Sequence, residues 1–238
     1  MKLLLFDLDG TLVRAGGAGR KALDRAIRDV YGVRPGPADY SLAGKTDLRN
    51  FSEAIKAVTG RRPSRAALER VHRAYLRRLP HYVRVARRGK KYGYPRGVRR
   101  LLKRLGSEPG VLLGLGTGNM EQGARIKLEP SGFNGYFKFG GFGSDSFSRP
   151  VLLQTAFRRA KKLPQGKSLR PRDVFVIGDT PLDVEAGRAA GFKTVGVGTG
   201  YAKWEHLCAA KPDYLAKDYR DLALWLSWFG VKENGRDG

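Results

Sequence analysis

Four aspartates stand where two apolar runs end. Asp7-Leu8-Asp9-Gly10-Thr11 closes the run that begins at Leu3, and Gly178-Asp179-Thr180-Pro181-Leu182-Asp183 follows Val174-Phe175-Val176-Ile177. Alone, two acids and a glycine make an ordinary turn. Two acidic strand ends in one core are costly unless a cation neutralises them. Hard carboxylate oxygens with room for water suit Mg²⁺. In open α/β sheets the carboxyl ends of strands are also where ligands bind.

The elements that must position these acids are short apolar runs alternating with longer amphipathic stretches. Leu3 to Leu8, Val111 to Leu115 and Val174 to Ile177 read as strands buried on both faces, with Thr194 to Val197 and Tyr214 to Ala216 as fainter candidates. Helical patterns cover Val98 to Leu105, Val151 to Leu163 and Asp183 to Ala190. This alternation predicts an α/β fold: a doubly wound, mainly parallel sheet in a Rossmann-like core.

Residues 15–94 break the rhythm and show no strand. Leu23, Ile27 and Tyr31 share one face of a helix over Gly19 to Tyr31. Leu48, Phe51, Ile55 and Val58 mark a second helix, and Ser64 caps a third with Leu68, Val71, Tyr75 and Leu79 on its buried stripe. The expected organisation is a core of residues 1–14 and 95–238 with a helical cap, 15–94, inserted after the first strand. Gly16-Gly17 and Tyr92 to Pro95 would be the hinges. The tail from Lys232 to Gly238 reads as polar and frayed.

The Asp-x-Asp-Gly-Thr and Gly-Asp-Thr-x-x-Asp motifs, in this order, with Thr117 after the second strand and the helical insert after the first, resemble the haloacid dehalogenase superfamily. The resemblance covers nearly the whole chain and is to the phosphatase branch, with phosphoglycolate phosphatase-like proteins as the similar members. It implies that Asp7 is a nucleophile that forms an aspartyl-phosphate. Asp9 would be the general acid and base, and its presence separates phosphatases from the dehalogenases. It further implies Mg²⁺ held by the Asp7 carboxylate, the Asp9 backbone carbonyl and Asp179, with Asp183 helping through water.

In Leu115-Gly116-Thr117-Gly118-Asn119 the resemblance assigns the Thr117 hydroxyl and the Gly118 and Asn119 N–H groups to the phosphoryl oxygens. The family's third motif carries a Lys, sometimes an Arg. Here Ser148-Arg149-Pro150 stands in its place, making Arg149 the candidate, with Lys127 and Lys138 as the other cations considered. Ala43-Gly44-Lys45-Thr46-Asp47 resembles the loop that capped members lower toward substrate, so Lys45 is a candidate anion contact. Thr46 is read as a helix N-cap. Gly10 and Gly17 are candidate glycines for close backbone approach to substrate.

Of 238 residues, 46 are Lys or Arg and 22 Asp or Glu, a net charge of +24. Residues 15–94 hold 20 of those cations and 6 acids, so more than half the excess lies in the insert. Arg70, Arg73, Arg77 and Arg84 would share one face of its third helix, and a polyanionic substrate or partner is the chemistry such a face fits. Nucleic acid is conceivable as a partner but not favoured, since no recognised nucleic-acid-binding signature accompanies the charge. The lone cysteine, Cys208, excludes an internal disulfide framework and a four-cysteine zinc site, and reads as a small buried apolar residue. Asp7 and Asp9 interrupt the opening apolar run before it can serve as a secretion signal, and no stretch reaches the roughly 18 apolar residues of a membrane span. A cytoplasmic, membrane-free enzyme is expected. The expected activity is Mg²⁺-dependent hydrolysis of a small phosphorylated metabolite; a sugar-phosphate mutase and a basic nucleic-acid or acidic-partner binding protein on the same fold are the alternatives. Oligomeric state is not legible.

Overall fold

The computed structural model describes residues 1–33, 35–36 and 44–232. The chain opens with β1 (Lys2–Phe6) and the two-residue β2 (Arg14–Ala15), then runs through three helices, α1 (Ala18–Tyr31), α2 (Asp47–Thr59) and α3 (Arg65–Arg88), to β3 (Tyr92–Gly93). After α4 (Val98–Gly106) come β4 (Val111–Gly116), α5 (Glu121–Leu128), β5 (Gly140–Gly141) and α6 (Arg149–Lys161). The remainder is β6 (Val174–Gly178), α7 (Pro181–Ala189), β7 (Lys193–Val197), α8 (Trp204–Ala209), β8 (Tyr214–Ala216) and α9 (Leu222–Phe229).

Six strands form one parallel sheet in the order β5-β4-β1-β6-β7-β8. The first strand is therefore flanked by β4 and β6: Phe6 lies opposite both Leu115 and Ile177. The chain leaves β1 toward one edge and later returns to the other, so the loops after β4, β1 and β6 meet at a topological switch point. Alternate β1 residues feed opposite layers. Leu4 and Phe6 join α4, α5 and α9, whereas Leu3 and Leu5 join α6 and the end of α7. The expected double winding is present.

Two expectations are corrected. No strand was foreseen within 15–94, yet Ala15 and Arg14 pair antiparallel with Tyr92 and Gly93, tying the entry and exit of the insert together. Nor did any apolar run announce β5, whose two glycines lie opposite Leu115 and Gly116. Smaller shifts are a first strand that stops at Phe6 rather than Leu8, and an α6 that starts at Arg149 rather than Val151, because proline is favoured in a helix's first turn. Cys208 is half-buried, not buried, as one face of the short α8 meets solvent.

The insert has its own apolar cluster, built from Leu23 and Ile27 of α1, Phe51 and Ile55 of α2, and Val71, Tyr75 and Leu79 of α3. Thr46 caps α2 and Ser64 caps α3, as the sequence indicated. The insert meets the core where α3 packs on α5. On its outer side Arg70, Arg73 and Arg77 line a groove with Val30 and Tyr31, while Arg78 pairs with Asp29 at 2.6 Å. Residues 233–238, most of the tail expected to fray, and Ala43 lie outside the described residues. Among the described residues no helix is long and apolar enough to cross a membrane.

The far end of the chain braces the acidic loop. Tyr219 is fully buried, stacks on Trp225 with ring centroids 4.7 Å apart, and donates its hydroxyl to the Thr11 carbonyl at 3.1 Å. Tyr219→Phe leaves that carbonyl buried without its donor, which costs about 1–3 kcal/mol. Urea unfolding of the variant should show this loss in midpoint with an unchanged slope.

Candidate active site

Asp7 begins the loop after β1, and its N–H continues the sheet by donating to the Ile177 carbonyl at 2.8 Å. Gly10 then turns the chain at φ 91°, where a Cβ would lie 2.5 Å from the Asp179 carboxylate. Only glycine lets the β1 loop close against the β6 loop. From the same loop the Thr11 hydroxyl donates to Asp179 Oδ1 at 2.9 Å, and the Tyr201 N–H holds Oδ2 at 3.0 Å. The Thr199 hydroxyl fastens the turn by donating to the Gly10 carbonyl at 2.7 Å. Asp183 closes α7 as a capping box: its Oδ2 accepts from the Thr180 N–H and hydroxyl at 3.0 and 2.6 Å.

These anchors gather Asp7, Asp179 and Asp183, all buried, with one oxygen of each within 4.8 Å of the others. Burial, then Asp183, push the Asp7 carboxyl up to about 7 against the pull of Arg149. Burial and the same acidic neighbours raise Asp179 well above the ordinary carboxylate range. Arg149, at the start of α6, bonds Asp183 through Nη2 and lies 3.8 Å from Asp7 Oδ1. It is the residue that the sequence offered for the third motif. Among the described residues five carboxylates, those of Asp7, Asp9, Asp47, Asp179 and Asp183, face the buried Lys127 and the Arg149 guanidinium, which is 12% exposed. A buried all-oxygen donor set with surplus negative charge fits a hard divalent cation.

A second cluster lies across the loop. The Lys127 ammonium donates to Asp9 Oδ2 at 2.5 Å and to Asn119 Oδ1 at 2.6 Å. The Asn119 amide donates to Asp9 Oδ2 at 3.0 Å and to the Thr117 hydroxyl oxygen at 2.9 Å. Thr117 is fully buried; Gly118 and Asn119, rather than Thr117, line the open space. The sequence named Lys127 only as a substitute for Arg149. A lysine beside Ala124 and Leu128 on the buried stripe of α5 was the available signal for a separate role.

Over both clusters sits a cavity of about 420 Å³, walled by the insert on its other side. Gly17 and Lys45 are on that wall, but the Lys45 ammonium is paired with Glu53 at 2.6 Å. The insert also reaches the core through Asp47, whose N–H donates to the Gly118 carbonyl at 2.7 Å and whose carboxylate accepts from the Met120 N–H at 2.8 Å. A Cβ on Gly118 would come within 2.4 Å of the Lys45 carbonyl. Asp47, Asn50 and Tyr75 are buried residues of this wall that were not singled out for a site role, because each also reads as ordinary helix packing or capping. Burial lifts the Asp47 carboxyl to about 6 although Lys127 opposes it.

A family model described as haloacid dehalogenase-like hydrolase matches residues 4–188, and the chain belongs to that family. A phosphoglycolate phosphatase of Synechococcus elongatus is 30% identical over 226 residues, covering 93% of this chain and 95% of that one. Pyrophosphatase PpaX of Anoxybacillus flavithermus is 34% identical over 94 residues, or 37% and 42% of the two chains. In fold, the chain resembles the crystal structure of a hydrolase from Pseudomonas syringae with a TM-score of 0.70 at 20% identity, covering 98% of this chain and 100% of that one.

The raised carboxyls make metal binding and pH interdependent. Asp7 ionises in the unfolded chain near its usual value but near 7 when folded, so the metal-free fold loses stability as pH rises between them. A divalent cation offsets this loss only where the carboxylates are ionised. At a hundredfold excess over its Kd, Mg²⁺ should raise Tm by roughly 5–10 °C at pH 8, and by less at pH 5. Asp179→Asn should abolish most of the gain in thermal melts.

Proposed function

We propose that the chain is a Mg²⁺-dependent phosphatase that transfers the phosphoryl group of a small phosphorylated metabolite to Asp7 and then to water. The observation that carries this reading is the separation of roles on one loop. Asp7 belongs to the carboxylate cluster, whereas Asp9, two residues on, faces the cavity with its own donors.

The Asp7 and Asp179 carboxylates, the Asp9 backbone carbonyl and Asp183 would hold the ion, directly or through water. Bound there, the ion would screen the repulsion between the Asp7 carboxylate and an anionic phosphoryl group. The Asp7 oxygen forms a bond to phosphorus as the ester P–O bond breaks, and Asp9 gives its proton to the departing oxygen. Asp9 then takes a proton from water, whose oxygen attacks phosphorus. The P–O bond to Asp7 breaks, releasing phosphate and restoring both carboxyls. Arg149 would balance charge at Asp7, and the Gly118 and Asn119 N–H groups, at the edge of the cavity, would receive phosphoryl oxygens.

Residues 15–94 act in this reading as a cap whose closure excludes water during transfer. The cavity volume favours small esters, and the net positive charge of the chain favours capture of anionic ones in a cytoplasmic setting. The named relatives direct attention to phosphoglycolate and pyrophosphate as first substrates to assay. In such a panel with Mg²⁺, Asp7→Asn should lower kcat/KM on the order of 10⁴-fold or more, and chelation should abolish activity reversibly. Release of inorganic phosphate distinguishes hydrolysis from return of the phosphoryl group to an isomer of the substrate. Full activity of Asp7→Asn would defeat the mechanism.

A further inference from the structure

Lys127 is 5% exposed, and burying an ammonium is costly unless its partners compensate. Its two bonded partners are both site residues, Asp9 and Asn119. Arg149 already serves Asp7 and Asp183, so the two cations divide the acids between them. The Asn119 amide is oriented by the same contacts: its oxygen meets the ammonium and its NH₂ meets Asp9, and reversing it would set donor against donor.

Both donors to Asp9 bind the same atom, Oδ2. Among the described residues nothing donates to Oδ1, although Asp9 borders the cavity. We propose that Lys127 is the positioning residue for Asp9, clamping Oδ2 with Asn119 so that Oδ1 carries the proton to and from the reacting oxygens. This inference rests on the acid–base role given to Asp9 above.

The clamp sits at the seam between core and insert. A Cβ on Gly19 of α1 would lie 3.3 Å from the Lys127 ammonium and 3.7 Å from the Tyr75 hydroxyl, so glycine there leaves the ammonium its place. Asp47 and Tyr75 are the ionisable groups that face it from the insert, and Asp9 faces it from the core. From the hinge, Tyr92 of β3 donates its hydroxyl to the Lys127 carbonyl at 2.9 Å, fixing the backbone that bears the clamp.

General-acid help matters more as the leaving group becomes more basic, and this separates positioning of Asp9 from mere support of the fold. The test measures kcat/KM with Mg²⁺ for aryl phosphates from 4-nitrophenyl to phenyl phosphate. Lys127→Met should lose about a hundredfold on phenyl phosphate and less than tenfold on 4-nitrophenyl phosphate, reproducing the steeper leaving-group dependence of Asp9→Asn. Ethylammonium should restore phenyl phosphate turnover to Lys127→Ala in a saturable way. Lys127→Gln, which keeps a donor near Oδ2, should fall between wild type and Lys127→Met, and it serves where the Met variant does not fold. Equal losses across the series in the Lys127 variants, alongside steepening in Asp9→Asn, would overturn the clamp alone. A flat response in Asp9→Asn would overturn the acid–base reading and the clamp with it.

Discussion

Repulsion among buried carboxylates is the constraint to which the rest of the molecule answers. Asp7, Asp179 and Asp183 are held together, and the Asp183 charge raises the energy of ionising Asp7 and Asp179. Backbone and hydroxyl donors hold them in place: Thr11 and Tyr201 on Asp179, Thr180 on Asp183. Such fixing stores electrostatic strain that a hard cation can relieve. The sheet order is what makes the crowding unavoidable, because β1 and β6 are hydrogen-bonded neighbours and both end in acids.

A division of charge runs through the whole chain. The net excess of +24 lies mostly on surfaces, with Arg70, Arg73 and Arg77 along an outer groove of the insert. Around the carboxylate cluster and Asp9 the balance is reversed, since Arg149 and Lys127 answer five carboxylates among the described residues. A positive exterior attracts anionic solutes, while an acidic centre favours a hard divalent cation. The surface excess exceeds what a small ester needs, and the fold gives no separate account of it.

Much of this was readable in the residues. Asp7, Asp9, Asp179 and Asp183 stand in motifs tied to strand ends, so local spacing alone brings each pair to an edge of the sheet. Arg149 was singled out from its place before a helix, and the structure sets it beside Asp7 and Asp183. Lys127 was considered only as a substitute for Arg149, because its contact with Asp9 depends on how far α5 reaches back toward the β1 loop, and no local pattern encodes that distance. The same holds for Asp47, whose helix-capping position hides a contact with Met120, 73 residues away. The pairing of β2 with β3 and the short β5 escaped notice because two-residue strands carry no periodicity.

The proposed reaction depends on one covalent event, transfer of the phosphoryl group to Asp7. The direct measurement is to mix enzyme, Mg²⁺ and 4-nitrophenyl phosphate, quench within the first turnovers, reduce with borohydride and map the peptides by mass. An aspartyl-phosphate reduces to homoserine, so homoserine is expected at position 7 and at no other aspartate. Phosphate released at the full rate with Asp7 unmodified, or homoserine at position 9 or 179 instead, would contradict it.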